Sequence, residues 1–143
     1  MSASPRPGSI LLVTRLSKAV FRAAIEEALG MKLKAYVALA SLRDGALPQK
    51  DLCITTHLDQ NNCVLLLNEM EAAGHVRRMR DAEDRRRHIV EITPEGKVAL
   101  KRAERAMEDL EDEVLGALSP DEREVLRELL SRALEGAPAE QPA

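Results

Sequence analysis

Apolar residues return at steps of three and four along most of the chain, the spacing of helices with one buried face. Leu12, Leu16 and Val20, with Val13, Phe21 and Ile25 beside them, predict a first helix over Ser9–Leu29, stopped by Gly30. A second helix is expected over Leu33–Leu42, closed by a turn at Arg43, Asp44 and Gly45. Pro48 suits a first helical turn and opens a third helix, which carries Leu52 and Ile54 and fades by His57. Asp59 is a good N-cap for a fourth, running to Ala73 before Gly74.

The texture then changes. Residues 75–80 and 87–93 read as two short strands, with Val90 and Ile92 alternating with polar neighbours. The link between them, residues 81–86, has only Ala82 as an apolar anchor and reads as an exposed hairpin loop. Helix resumes at Thr93 and Pro94. Leu100, Ala103, Met107, Leu110, Val114 and Leu118 follow at alternating steps of three and four, a seam of the kind that two helices share. Ser119, Pro120, Asp121 and Glu122 form a capping box that opens a last helix bearing Val125, Leu126, Leu129, Leu130 and Leu134. The fold class is therefore mainly α with a small β-hairpin. Three short helices followed by a hairpin, over 33–93, describe a winged helix-turn-helix. Residues 1–8 and 136–143, with Ser, Pro and Gly but little to bury, read as flexible tails around a single domain at 9–135.

Composition narrows the function. The chain of 143 residues suits one domain, and with 45% apolar residues it can build a core. Phe21 and Tyr36 are the only aromatics, which argues against modules that stack bases on a sheet. The apolar runs fall far short of a membrane span, and the N-terminus shows no secretion signal. Cys53 and Cys63 make no disulfide framework, so a cytoplasmic, reduced protein is expected. The net charge of −3 conceals an asymmetry: residues 77–87 hold six Arg against three acids, whereas 95–135 hold twelve acids against seven basic residues. A basic hairpin beside an acidic body suits a protein that meets phosphate with one edge. The bland alternative is a hairpin kept soluble by its Arg.

Residues 66–78, LLNEMEAAGHVRR, are followed at 81–96 by DAEDRRRHIVEITPEG. This resembles the signature of the MarR-type transcriptional regulators. In that family a helix ending Leu-Glu-x-x-Gly leads into a wing of the form Asp-x-x-Asp-Arg-Arg and a strand ending Leu-Thr-x-x-Gly. Met70, Glu71 and Gly74 match the first part. Asp81, Asp84, Arg85 and Arg86 match the wing, and Ile92, Thr93 and Gly96 match the return. With its flanking helices the resemblance covers about residues 10–135. It implies a homodimer whose terminal helices, 9–30 and 94–135, interlock, with two DNA-binding lobes on a near-palindromic operator. It also implies a repressor released by a small-molecule effector, with no enzyme activity and no cofactor. Some members respond instead to cysteine oxidation.

The candidate site residues follow. Gln60, Asn61 and Asn62 occupy the first turn of the recognition helix, where amides can pair with adenine edges or simply cap the helix. Val64 and Leu65 stand where the family often has Thr and Arg, which moves base reading toward 60–62. Leu65 can touch a thymine methyl or belong to the core; Leu66, Leu67 and Met70 fit the core better. Arg86 matches the wing arginine that enters the minor groove, with Asp84 as its brace. Arg85, Arg87 and Arg78 are candidates for phosphate contacts or salt bridges. Cys53 reads as core. Cys63, near a helix N-terminus that lowers a thiol pKa, is the candidate for redox sensing. Cysteine and histidine spacing gives no convincing metal site, and no nucleophile turn or phosphate loop is visible. A dimerisation adaptor without DNA binding would explain the helices but not the Asp-braced basic hairpin.

Overall fold

The computed structural model describes residues 6–23 and 26–137. Its helices are α1 (Ser9–Ala23), α2 (Glu26–Leu29), α3 (Leu33–Ser41), α4 (Gln49–Thr56), α5 (Gln60–Ala72), α6 (Pro94–Val114) and α7 (Pro120–Glu135). Three strands, β1 (Leu47–Pro48), β2 (Val76–Arg80) and β3 (His88–Ile92), form an antiparallel sheet in the order β1-β3-β2. The single helix expected over Ser9–Leu29 is thus two described helices, and the expectation for Ile25 lies outside the described residues. So do most positions of the two expected tails.

Local chemistry sets most boundaries. Asp59 caps α5 by accepting from the Asn62 backbone N–H at 2.8 Å. At the other end Gly74 has φ 81, and the N–H groups of Gly74 and His75 donate to Glu71 and Met70, a left-handed closure suited to glycine. Thr93 caps α6 through the Gly96 N–H, and Ser119 with Glu122 completes the capping box of α7. Pro48 departs from expectation. It is extended, at φ −58 and ψ 140, and pairs with Ile89 before α4 begins. Proline has no N–H to give a ladder, so it suits this edge strand.

The core lies under the helix-turn-helix. Leu39, Leu42, Leu52, Leu67 and Val90 are each at most 1% exposed, joined by Leu66, Met70 and Val76. Leu100 and Ala103 of α6 enter the same core, and α6 packs against α1, α2 and α3. The α6 seam is therefore partly satisfied within one chain, rather than wholly reserved for a second helix of a partner. Gly96 shows how closely α6 approaches the hairpin base, since a Cβ there would lie 2.1 Å from the His75 carbonyl oxygen. The terminal helices differ: neither α1 nor α7 buries a single described residue.

Candidate nucleic-acid interface

The first turn of α5 presents Gln60, Asn61 and Asn62 to solvent, one turn before Leu65, which is 58% exposed. Asn62 is engaged by its own cap: its side-chain Nδ2 donates to Asp59 Oδ2 at 3.0 Å. The capping alternative thus describes Asn62 in the free protein, and Gln60 and Asn61 stand beside it at the open helix end. Cys63, Leu66, Leu67 and Met70 face inward on the same helix. This gives α5 a buried side that fixes its position and an exposed N-terminal side rich in amides.

The loop between β2 and β3 is shaped by its acids. Asp84 Oδ1 accepts from the Arg86 backbone N–H at 3.1 Å and from Arg86 Nε at 3.3 Å. The Arg86 side chain is nevertheless 92% exposed, so the brace orients the guanidinium without covering it. Asp81 Oδ1 accepts from the Glu83 N–H, and the Asp81 N–H donates to the Arg87 carbonyl across the loop mouth. Arg80 Nη1 donates to the Arg85 carbonyl at 2.8 Å. Arg85, Arg86 and Arg87 are all exposed at this tip.

Arg78 plays another part. Its guanidinium donates to Glu71 Oε1 at 3.0 Å and to Asn68 Oδ1, and its side chain is only 21% exposed. The salt-bridge alternative describes it, and the clip ties β2 to α5. Arg78 hydrogen bonds, from side chain and then backbone, hold the Glu71 carboxyl below its ordinary range. Arg77 pairs across the strands with Glu91. Sequence reasoning did not foresee the clip. Its signal was Asn68 and Glu71, three residues apart on one helix face and opposite an arginine strand.

The cysteines require a correction. Cys53 and Cys63 are joined as a disulfide, with Cα atoms 5.4 Å apart. The expectation of a reduced chain does not describe this structure, and Cys63, the candidate for redox sensing, is disulfide-bonded and 1% exposed. Helical periodicity placed the two residues on separate helices. The crossing of α4 and α5, which brings them together, is a tertiary fact. Among the described residues, no group of three or more His, Cys, Asp or Glu is arranged to hold a metal ion. No helix among them is long and apolar enough to cross a membrane.

No protein-family model matches the chain. A crystal structure of MarR superposes with a TM-score of 0.78 at 24% identity, over 94% of this chain and 94% of that one. The chain has the MarR fold. Two further structures share this MarR fold. One is a MarR variant from E. coli complexed with operator DNA, with a TM-score of 0.69 and 22% identity over 86% of this chain and 91% of that one. The other, from work on the regulation of DNA binding of Bordetella bronchiseptica BpsR by 6-hydroxynicotinic acid, has a TM-score of 0.68 and 25% identity over 85% of this chain and 94% of that one. In sequence, the transcriptional regulator HosA of Escherichia coli O127:H6 (strain E2348/69 / EPEC) is 38% identical over 69 residues, 48% of this chain and 51% of HosA. The chain spans about half the length of the curated relatives it matches.

Proposed function

We propose that the chain is a DNA-binding transcriptional regulator that acts as a cytoplasmic homodimer, with residues 33–93 as its DNA-reading lobe. The observation that carries this reading is the Asp84–Arg86 brace, which holds a 92% exposed guanidinium at the tip of a hairpin tied to α5. A guanidinium held out in this way suits the narrow minor groove, where negative potential is concentrated. The first turn of α5 suits the major groove, with Gln60 and Asn61 reading base edges and Asn62 exchanging its cap bond for a base. Arg85 and Arg87 serve phosphate. An operator-bound neighbour of the same fold supports this assignment.

The dimer rests on α1 and α7. Ile10, Leu11, Leu12, Val13, Leu16 and Phe21 on α1, with Val125, Leu129, Leu130 and Leu134 on α7, are all exposed in the single chain. Apolar burial is worth roughly 25 cal/mol per Å², so pairing these helices with a second copy supplies a large driving force. Residues 9–30 and 94–135 are accordingly the dimerisation region, with the α6 contribution limited to what its own chain leaves uncovered. A two-fold dimer presents two lobes and fits a near-palindromic operator.

We assign the role of repressor, with release by a small molecule. A cleft of about 640 Å³ is lined by Leu16, Tyr36, Arg43, Met107 and Leu130 among others, where the terminal helices meet the lobe. The lining is mostly apolar and also carries Arg43 and Arg127 with Glu104, Glu108 and Glu111, Arg43 being paired with Glu104, so the cleft suits a small, largely apolar ligand. The BpsR neighbour, whose DNA binding is regulated by 6-hydroxynicotinic acid, supports a ligand-responsive reading. The test is fluorescence anisotropy with a duplex from upstream of the chain's own gene and a scrambled duplex. Sedimentation of the free protein is measured alongside. Salt-dependent, sequence-selective binding by a dimer is expected; a monomer indifferent to both duplexes would reject the reading.

A further inference from the structure

We propose that Cys53 and Cys63 form a reversible dithiol–disulfide couple whose state sets how tightly α4 holds the DNA-reading end of α5. The consequence for DNA rests on the function proposed above; the couple itself does not.

Three observations carry it. The bond joins the two helices of the helix-turn-helix to each other, across a sequence separation of 10 and with a Cα–Cα distance of 5.4 Å that an ordinary disulfide tolerates. The loop it closes contains the α4–α5 turn, with His57 left-handed at φ 57 and Asp59 capping α5. Cys63 follows Gln60, Asn61 and Asn62 directly, so the staple is fixed one residue from the exposed amides.

The two sulfurs also differ in access. Cys63 is 1% exposed, whereas Cys53 is half-buried. An incoming low-molecular-weight thiolate therefore attacks Cys53 Sγ. The disulfide bond breaks, its electron pair leaves on Cys63 Sγ, and that sulfur takes up a proton. A second thiol resolves the mixed disulfide, so one disulfide and two thiols become two protein thiols and one small disulfide. In the oxidising direction the named co-reactant is a hydroperoxide. A cysteine thiolate attacks its oxygen to give a sulfenic acid and an alcohol, or water from hydrogen peroxide. The other thiol then displaces water as the bond forms.

Reduction cannot leave the sulfurs where they are. Two unbonded sulfur atoms need roughly 3.5–4 Å, the ordinary non-bonded range. The sulfurs separate within a buried region, where Leu52 and Thr56 of α4 and Leu67 of α5 are each 1% exposed. A packed interior answers such a change by shifting elements rather than by compressing. The shift is taken up at the α4–α5 turn and the α5 N-terminus, which are exposed. The oxidised state is the preorganised one, because the staple removes freedom that binding must otherwise remove.

The experiment equilibrates the full chain in a series of glutathione redox buffers, traps free thiols by alkylation and counts them by mass. Hydrogen exchange over residues 57–66, thermal unfolding and anisotropy with the upstream duplex are then read in each state. Both cysteines should titrate together in one two-electron step. The oxidised form should melt roughly 5–10 °C higher, as expected for closing a loop of this length. Exchange at 57–66 should be slower in the oxidised form, and duplex binding about five-fold tighter or more. Cys53→Ser, at the half-buried position, should fold and be indifferent to the buffer in every readout; Cys53→Ala with Cys63→Ala is the second control. Independent alkylation of the two cysteines across the series overturns the couple. Joint titration with unchanged exchange at 57–66 overturns the mechanical link. If neither state binds the duplex, the DNA-binding reading fails, while thiol counting and exchange still decide the couple.

Discussion

The helix-turn-helix lobe and the terminal helices draw on the same kind of apolar stripe and arrive at opposite ends. In the lobe, α3, α4, α5 and the sheet close around Leu39, Leu42, Leu52, Leu67 and Val90, which are almost wholly covered within one chain. On α1 and α7 the stripes of Leu and Val remain exposed, and ten large apolar side chains there face solvent. A lobe that completes its own core can be held out toward a ligand. Helices that cannot complete theirs leave an apolar face uncovered, the face that the proposed dimer pairs.

The largest expected effect comes from removing one side of that contrast. Deletion of residues 119–143 takes away α7, one of the two apolar faces that the proposed dimer would pair, so aggregation or loss of cooperative unfolding is expected. A soluble monomer melting cooperatively in calorimetry would break the comparison. Next, Leu39→Ala in the lobe should cost about 2–5 kcal/mol, the usual range for a fully buried leucine, whatever the protein concentration. Leu134→Ala, at a residue 76% exposed in the single chain, should instead make the melting temperature more dependent on concentration. Smaller again is Gly96→Ala, at about 1–3 kcal/mol. Its Cβ would meet the backbone oxygen of His75 at 2.1 Å, which a side-chain rotation cannot relieve. Denaturant titration checks each of these.

The smallest effect is a pH dependence. Glu71 and Glu122 are held below their ordinary 4.5 by hydrogen bonds, Glu71 from Arg78 and Glu122 from the Ser119 backbone and then its side chain. A depressed carboxyl stabilises the fold above its unfolded pKa, and that contribution is lost as pH falls through the lower folded value. Stability should therefore decline slightly below pH 4.5, by less in Glu71→Gln than in the parent chain. An equal decline in both would remove Glu71 from the explanation.

Much of this contrast was legible in the sequence because it rests on local signals. Asp59, Thr93 and Ser119 cap the helices they were expected to cap, and Gly74 closes α5. The strands at 76–80 and 88–92 follow alternation. What escaped depends on distance in the chain. Strand β1 is two residues long and exists through its pairing with β3. The Arg78 clip needs β2 folded against α5, and the Cys53–Cys63 bond needs α4 crossed with α5. The α6 seam has the spacing of an intermolecular contact, but Leu100 and Ala103 are used by the chain's own core. Spacing shows which face is apolar, not which surface covers it. The wing was the most readable part of the site because Asp84 and Arg86 are two residues apart.

The most direct measurement of the central claim uses that pair. Arg86→Ala leaves the fold intact, since the side chain is 92% exposed and its carboxylate partner can turn to water. Fluorescence anisotropy of wild type and variant is compared on the upstream and scrambled duplexes over a salt series. The proposed dimer would use the wing twice, so the loss on the upstream duplex should reach about 2–6 kcal/mol, twice the usual value for one arginine contact. The slope of log affinity against log salt should become shallower, because fewer counterions are released. Wild-type affinity and slope in Arg86→Ala, on both duplexes, would show that the hairpin does not read DNA and would contradict the account.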